Sequence, residues 1–136
     1  MRVAVYSGSF NPIHEGHLSI LRGLKSFDAT YMLVTPSSPF KADAGSSRQR
    51  LEEARRVLAQ NPDIDARLDD IEYHMEGPWY TIRTLRALKA REPHNDFTLV
   101  IGGDNLAVIR QWRDYRSILL EFGVLVFPRL GADSQA

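Results

Sequence analysis

Two histidines three residues apart, His14 and His17, follow a turn that carries Gly8, Ser9 and Phe10. The whole stretch reads Gly8-Ser9-Phe10-Asn11-Pro12-Ile13-His14-Glu15-Gly16-His17, between an apolar run (Val3-Ala4-Val5-Tyr6) and a helical pattern bearing Leu18, Leu21 and Leu24. A strand, a glycine-containing turn and a helix in that order aim backbone N–H groups and the positive end of a helix dipole at one place. Imidazoles at i and i+3 share a face of the first helical turn, so both can reach one anion. The chemistry this pattern suits is phosphate binding. The plainer role is that both histidines merely start a helix and Gly8 makes a turn.

A second group of polar residues lies further along. Gly102-Gly103-Asp104-Asn105 is a turn after an apolar run, where glycine lets backbone approach a ligand closely and Asp104 accepts from hydroxyls or orders a hydrated cation. A simple helix cap by Asp104 or Asn105 fits equally well. Trp112 offers a plane for stacking on a ring, against core packing as its commoner role. Tyr80, Thr81 and Thr84 stand at another helix start, with capping and surface exposure as the plainer alternatives. Lys41, with Arg48 and Arg50 beyond it, supplies cations for phosphate, or solvated charges on a loop and a helix face.

Alternating patterns must position these groups. Strand-like runs fall at residues 2–7, 31–35, 65–69, 97–102 and 123–127, and helical patterns at 14–25, 47–60, 81–91 and 115–121. Ser46 or Ser47 is a candidate cap for the second helix, Asn61-Pro62 ends it, and Pro93 follows the third. Residues 36–45 form the longest loop. Strict alternation of strand and helix predicts a doubly wound α/β fold: a five-stranded parallel sheet, Rossmann-like in order 3-2-1-4-5, with helices on both faces. In that order strands one and four are neighbours where the strand order reverses, and the crevice beyond their carboxyl ends receives both Gly8–His17 and Gly102–Asp104.

The 136 residues make one domain with a real core. Seventeen basic residues balance seventeen acidic ones, so neither nucleic acid nor an acidic membrane surface is an expected partner. There is no cysteine, hence no disulfide or thiolate metal site. The N-terminus is too short and polar-flanked for a signal peptide, and no apolar run reaches membrane-spanning length, so the expected location is cytoplasmic. A homo-oligomer is left open.

Gly-Ser-Phe-Asn-Pro-x-His-x-Gly-His resembles the signature of the HxGH nucleotidyltransferase superfamily. It matches neither the Walker loop nor the dinucleotide-binding glycine pattern. Gly102-Gly103-Asp104-Asn105-Leu106, Trp112, Tyr80-Thr81-x-x-Thr84-Leu85 and Thr35-Pro36-x-x-Pro39-x-Lys41 are similar to the nicotinate-nucleotide adenylyltransferases of bacterial NAD synthesis, as are Arg48-x-Arg50-Leu51, Asp70-Ile71-Glu72 and Phe127-Pro128-Arg129. The resemblance runs from Val3 to Gly131. It implies transfer of AMP from ATP to nicotinate mononucleotide, with Mg²⁺ accompanying the ATP and no dedicated protein metal site. It implies that Gly8, Ser9 and Phe10, with the catalytic His14 and His17, hold the ATP phosphates, and that Gly102 and Asp104 lie near the ribose or the metal-bound phosphates. Tyr80, Thr81 and Thr84 would line the nicotinate site, Trp112 would stack on the ring, and Lys41 and Arg48 would assist phosphate binding. The alternatives are a nicotinamide mononucleotide or pantetheine phosphate acceptor, or a non-catalytic nucleotide-binding domain.

Two departures from the family pattern stand out. Arg83 occupies a position where the family often has Asp, which adds a positive charge near the acceptor loop or simply points to solvent. The family also places a phosphate loop and a further helix after the fifth strand. Only seven residues follow Arg129, and the expectation is that the single domain, residues 1–136, lacks that part.

Overall fold

The computed structural model describes residues 1–10, 13–36, 44–103 and 109–127, with backbone alone for 44–47. Its five strands are β1 (Arg2–Gly8), β2 (Ala29–Val34), β3 (Arg67–Leu68), β4 (Asp96–Gly102) and β5 (Val124–Phe127). The helices are α1 (Glu15–Arg22), α2 (Ala44–Ala59), α3 (Thr81–Arg91) and α4 (Tyr115–Glu121), with short 3₁₀ turns at Ile71–His74 and Ile109–Gln111. All strand pairs are parallel and the order is β3-β2-β1-β4-β5, as the alternation of elements predicts.

The period-2 alternation of strand side chains divides the core into two layers. Ala4 and Tyr6 of β1, Met32 and Val34 of β2 and Val100 of β4 face α1 (Leu18, Leu21) and α2 (Leu51, Ala54). Val3 and Val5, Tyr31 and Leu33, and Phe97, Leu99 and Ile101 face α3 (Ile82, Leu85, Leu88) and α4 (Ile118). Burial on both faces explains why these strands read as continuous apolar runs.

Four elements depart from the sequence expectation by more than one residue at an end, each for a local reason. β3 spans two residues rather than 65–69. As an edge strand it pairs only Arg67 and Leu68 with β2, and Asp69 then turns the chain by accepting from Ile71 N–H at 3.0 Å. β2 begins two residues early, at Ala29, because Val3 of β1 pairs with it there. α1 stops at Arg22 rather than residue 25, since Gly23 closes the last turn through bonds to the Ser19 and Ile20 carbonyls. α2 begins at Ala44, so Ser46 and Ser47 lie inside the helix and are not its cap.

Candidate active site

β1 ends at Gly8 and hands over to α1 through a turn of constrained shape. Phe10 sits at φ 47°, a left-handed conformation unusual for a bulky side chain, while its ring is 3% exposed. The ring packs edge-on against Tyr6 (5.4 Å between centroids) and His17 (4.8 Å). Burial of the ring therefore holds the backbone in a shape it would otherwise avoid. Gly8 is what lets the ring in, since a Cβ there would stand 3.3 Å from Phe10 Cζ. A turn with a left-handed residue gathers successive N–H groups into a concavity that binds anions.

The two histidines cap α1 with each other's help. His14 is the N-cap, in extended conformation, and its Nδ1 accepts from Gly16 N–H at 3.1 Å. His17 returns the favour: its Nδ1 accepts from His14 N–H at 3.0 Å. This is a capping box written in histidine rather than Ser and Glu. The rings stack at 3.8 Å, 21° from parallel. Ile13 and Leu18, the positions flanking such a box, are both buried in the same apolar layer. Because each Nδ1 receives a backbone N–H, the neutral ring must carry its proton on Nε2. The box thus fixes the tautomer and makes Nε2–H the donor of both rings, beside a helix N-terminus. That is a donor set for phosphate oxygens.

The turn after β1 is braced from β2. Thr35 N–H donates to Gly8 O at 2.9 Å. The Arg50 guanidinium, on a residue 7% exposed, reaches from α2 to donate to Ser9 O (2.6 Å) and Thr35 O (3.1 Å). Arg48 is exposed on the same helix. Spacing alone cannot tell these two arginines apart, and only the face of α2 assigns the buried contact to Arg50.

The acceptor group expected from sequence gathers on the opposite face of the sheet. α3 begins at Thr81 with Tyr80 as its N-cap, and no side-chain hydrogen bond caps it, so Thr81 does not take the capping role. Trp112 is half-buried and packs on the same apolar layer as Ile82 and Leu85. The residue after it, Arg113, lays its guanidinium 4.6 Å from the Tyr80 ring centroid and donates to Tyr80 Oη at 3.3 Å. Tyr80 and the Trp112 loop are therefore neighbours, joined by a cation that sequence reasoning did not single out. Arg83 is exposed and donates to the carbonyl of Pro78. Thr84 is buried to 3% exposure, and its hydroxyl donates inward to Glu72 Oε2 at 2.7 Å.

Gly102 ends β4 opposite Phe127 of β5. Lys41 and Asp104, with Asn11, Pro12, Asn105 and the segment after Phe127, lie outside the described residues. Among the described residues no group of three or more His, Cys, Asp or Glu is placed to hold a metal ion. No described helix is long and apolar enough to cross a membrane.

A parallel sheet with an anion-directed turn where its strand order reverses defines a nucleotide-binding α/β domain. Residues 5–133 match the cytidylyltransferase-like family. A relative named "Probable nicotinate-nucleotide adenylyltransferase" from Bacteroides fragilis is 39% identical over 135 residues, covering 96% of this chain and 66% of that protein. One of the same name from Flavobacterium johnsoniae is 35% identical over 140 residues, covering 99% of this chain and 72% of that protein. The chain thus spans about two thirds to seven tenths of the length of these relatives. The fold is shared with nicotinic acid mononucleotide adenylyltransferase of Plasmodium falciparum, solved with NaAD: TM-score 0.79, 20% identity, 96% of this chain and 65% of that one. The chain belongs to the cytidylyltransferase-like family, among its nicotinate-nucleotide adenylyltransferases.

Proposed function

We propose that this chain transfers the adenylyl group of ATP to nicotinate mononucleotide, giving nicotinate adenine dinucleotide and pyrophosphate. The observation that carries this reading is the reciprocal histidine cap, with both Nε2–H donors fixed beside the phosphate turn at the end of β1. An acceptor phosphate oxygen attacks the α-phosphorus in line, the new P–O bond forms, and the bond from the α-phosphorus to the bridging oxygen breaks. Pyrophosphate leaves with that electron pair, so no protein nucleophile is needed and positioning and charge stabilisation do the catalysis. His14 and His17 would donate to oxygens of the α- and β-phosphates as charge builds, with the N–H groups at 8–10 holding the rest. A Mg²⁺ ion carried by the triphosphate would need few protein ligands. Such an ion would supply positive charge against that of the departing pyrophosphate.

Tyr80 and Thr81, at the start of α3, and Trp112 would receive the pyridine ring, with the helix N-terminus facing its carboxylate. Arg113 and Arg83 add positive charge to that side, which favours the acidic nicotinate over the neutral amide. Asp104, Lys41 and Arg48 keep the ribose and phosphate roles that the family pattern implies. The test is pyrophosphate release from Mg-ATP with nicotinate mononucleotide, nicotinamide mononucleotide and phosphopantetheine run in parallel. Selective turnover with the nicotinate compound is expected; equal or no turnover with it would sink the reading.

A further inference from the structure

Glu72 is the least explained side chain in the described structure. It sits on the 3₁₀ turn after β3, 4% exposed, and its Oε1 has no hydrogen-bond partner among the described residues. Among the described residues no cation offsets its charge. One hydroxyl, that of Thr84 in the first turn of α3, donates to Oε2 at 2.7 Å, and the Thr35 hydroxyl, just past β2, is close enough to favour the charged form. Burial pushes this carboxyl up, and the two threonine hydroxyls pull it back only in part.

Stability alone gives no reason for this arrangement. An acid buried without a counter-charge is costly, and replacing a buried polar cluster with apolar groups of like shape is often neutral or better. What the arrangement does is geometric. Thr35 is tied to the phosphate turn three ways: its N–H to Gly8 O, its carbonyl to Arg50, and its hydroxyl to Ser7 Oγ at 3.5 Å. Thr84 is tied to the acceptor loop through its N–H, which donates to Tyr80 O at 3.1 Å. One carboxyl therefore spans the strand end that braces the ATP turn and the helix start that carries Tyr80 and Thr81.

We propose that Glu72 is a positioning residue that sets the acceptor loop of α3 at a fixed separation from the phosphate turn of β1. The inference rests on the adenylyl-transfer reading for its purpose. In-line attack needs the acceptor oxygen within about 3–3.5 Å of the α-phosphorus, and a misplacement of about 1 Å costs on the order of 10²-fold in rate. A strut between the two half-sites is what such a reaction requires. It acts through Thr35 and Thr84, not by touching substrate.

The test has two arms on Glu72→Ala, Glu72→Gln and Thr84→Val. In the kinetic arm, Glu72→Ala is expected to lower kcat/KM for nicotinate mononucleotide by about 10–100-fold. KM for ATP should stay within about twofold, and Glu72→Gln, which keeps shape and hydrogen bonds, should recover most of the loss. Equal changes in both KM values, or a Gln variant as impaired as the Ala one, would overturn the proposal. In the second arm, amide hydrogen exchange without substrate should quicken at Thr84 and Leu85 in Glu72→Ala and in Thr84→Val, but not at the last turn of α3. Unchanged exchange there would also overturn it. If the unaltered chain does not turn over nicotinate mononucleotide, the function fails and the exchange arm alone decides the strut.

Discussion

Replacing His17 can separate its two jobs, because the two ring nitrogens do different things. Nδ1 accepts the His14 N–H at 3.0 Å and closes the cap of an eight-residue helix. Nε2–H is the donor assigned to phosphate. Loss of an N-cap interaction costs about 1 kcal/mol, and loss of the aromatic contacts to His14 and Phe10 about 0.5–1.5 kcal/mol more. Loss of a donor to developing charge costs about 3–4 kcal/mol of transition-state stabilisation, or about 10²–10³ in kcat. His17→Ala removes both, so it should lose about 2 kcal/mol of stability and at least 10²-fold in turnover. His17→Asn places its amide oxygen where Nδ1 stood and has nothing at the position of Nε2. It should recover the cap energy while staying about 10²–10³-fold slow. His17→Gln extends an amide toward the Nε2 position and should show the opposite pattern, with weakened cap and partial activity. Urea midpoints and single-turnover pyrophosphate release read the two quantities separately. An Asn variant turning over within about threefold of the unaltered chain would refute the donor assignment, whatever its stability.

Three further perturbations follow from the same structure. Arg50→Met orphans the Ser9 and Thr35 carbonyls, and should cost about 2–3 kcal/mol by denaturant titration and raise KM for ATP; an unchanged midpoint and KM would count against the brace. Asp69 is pulled up by burial, but bidentate Arg91 (2.6 and 3.1 Å) and the Ile71 N–H outweigh that and hold its carboxyl below the usual range. Its stabilisation is therefore present above about pH 4, the unfolded value, and fades as pH falls through the depressed folded value. Asp69→Asn should lose about 1–3 kcal/mol at pH 7, a gap that closes in acid; a gap constant from pH 7 to 3 would contradict the linkage. Gly23→Ala puts a Cβ 2.6 Å from Phe127 Cε2, so the ring must move, and the midpoint should fall by about 1–3 kcal/mol unless Phe127 is also made smaller.

The fold was legible because its signals were redundant. Two-face burial made β1, β2 and β4 continuous apolar runs, and α3 and α4 begin and end where pattern and Pro93 place them. β3 was legible as a strand but not in length, since an edge strand ends when its partner's hydrogen bonds run out. The histidines could be found from their spacing, but the meaning of the spacing could not. Nothing in His14-x-x-His17 says that the two rings cap one another's backbone and so fix a tautomer. Arg50 was visible only as one of several cations near Lys41, and its burial depends on which face of α2 meets β1. Glu72 stood in a family-like triplet with no role, because the hydroxyls it joins are 12 residues away at Thr84 and further still at Thr35. Tyr80 and Trp112 were paired by family pattern, while Arg113, the group between them, has no signature beyond its charge.

β1 precedes the other described strands in the chain and is central in the sheet, and this imposes an order on how they assemble. On one side its partner is close at hand: Val3 meets Ala29, and that half of the ladder closes a loop of about 25 residues. On the other side Arg2 meets Asp96, so the second row of hydrogen bonds waits for most of the chain to emerge. Through that interval β1 presents an open, apolar edge, the kind of surface that pairs with a wrong partner. Helix α1 and its histidine cap make their hydrogen bonds locally, within residues 14–23. The space beyond the carboxyl ends of β1 and β4 needs both strands. A truncation before residue 96 would thus release a chain with α1 but without the second row of β1 hydrogen bonds. β4 is the strand that closes this open edge.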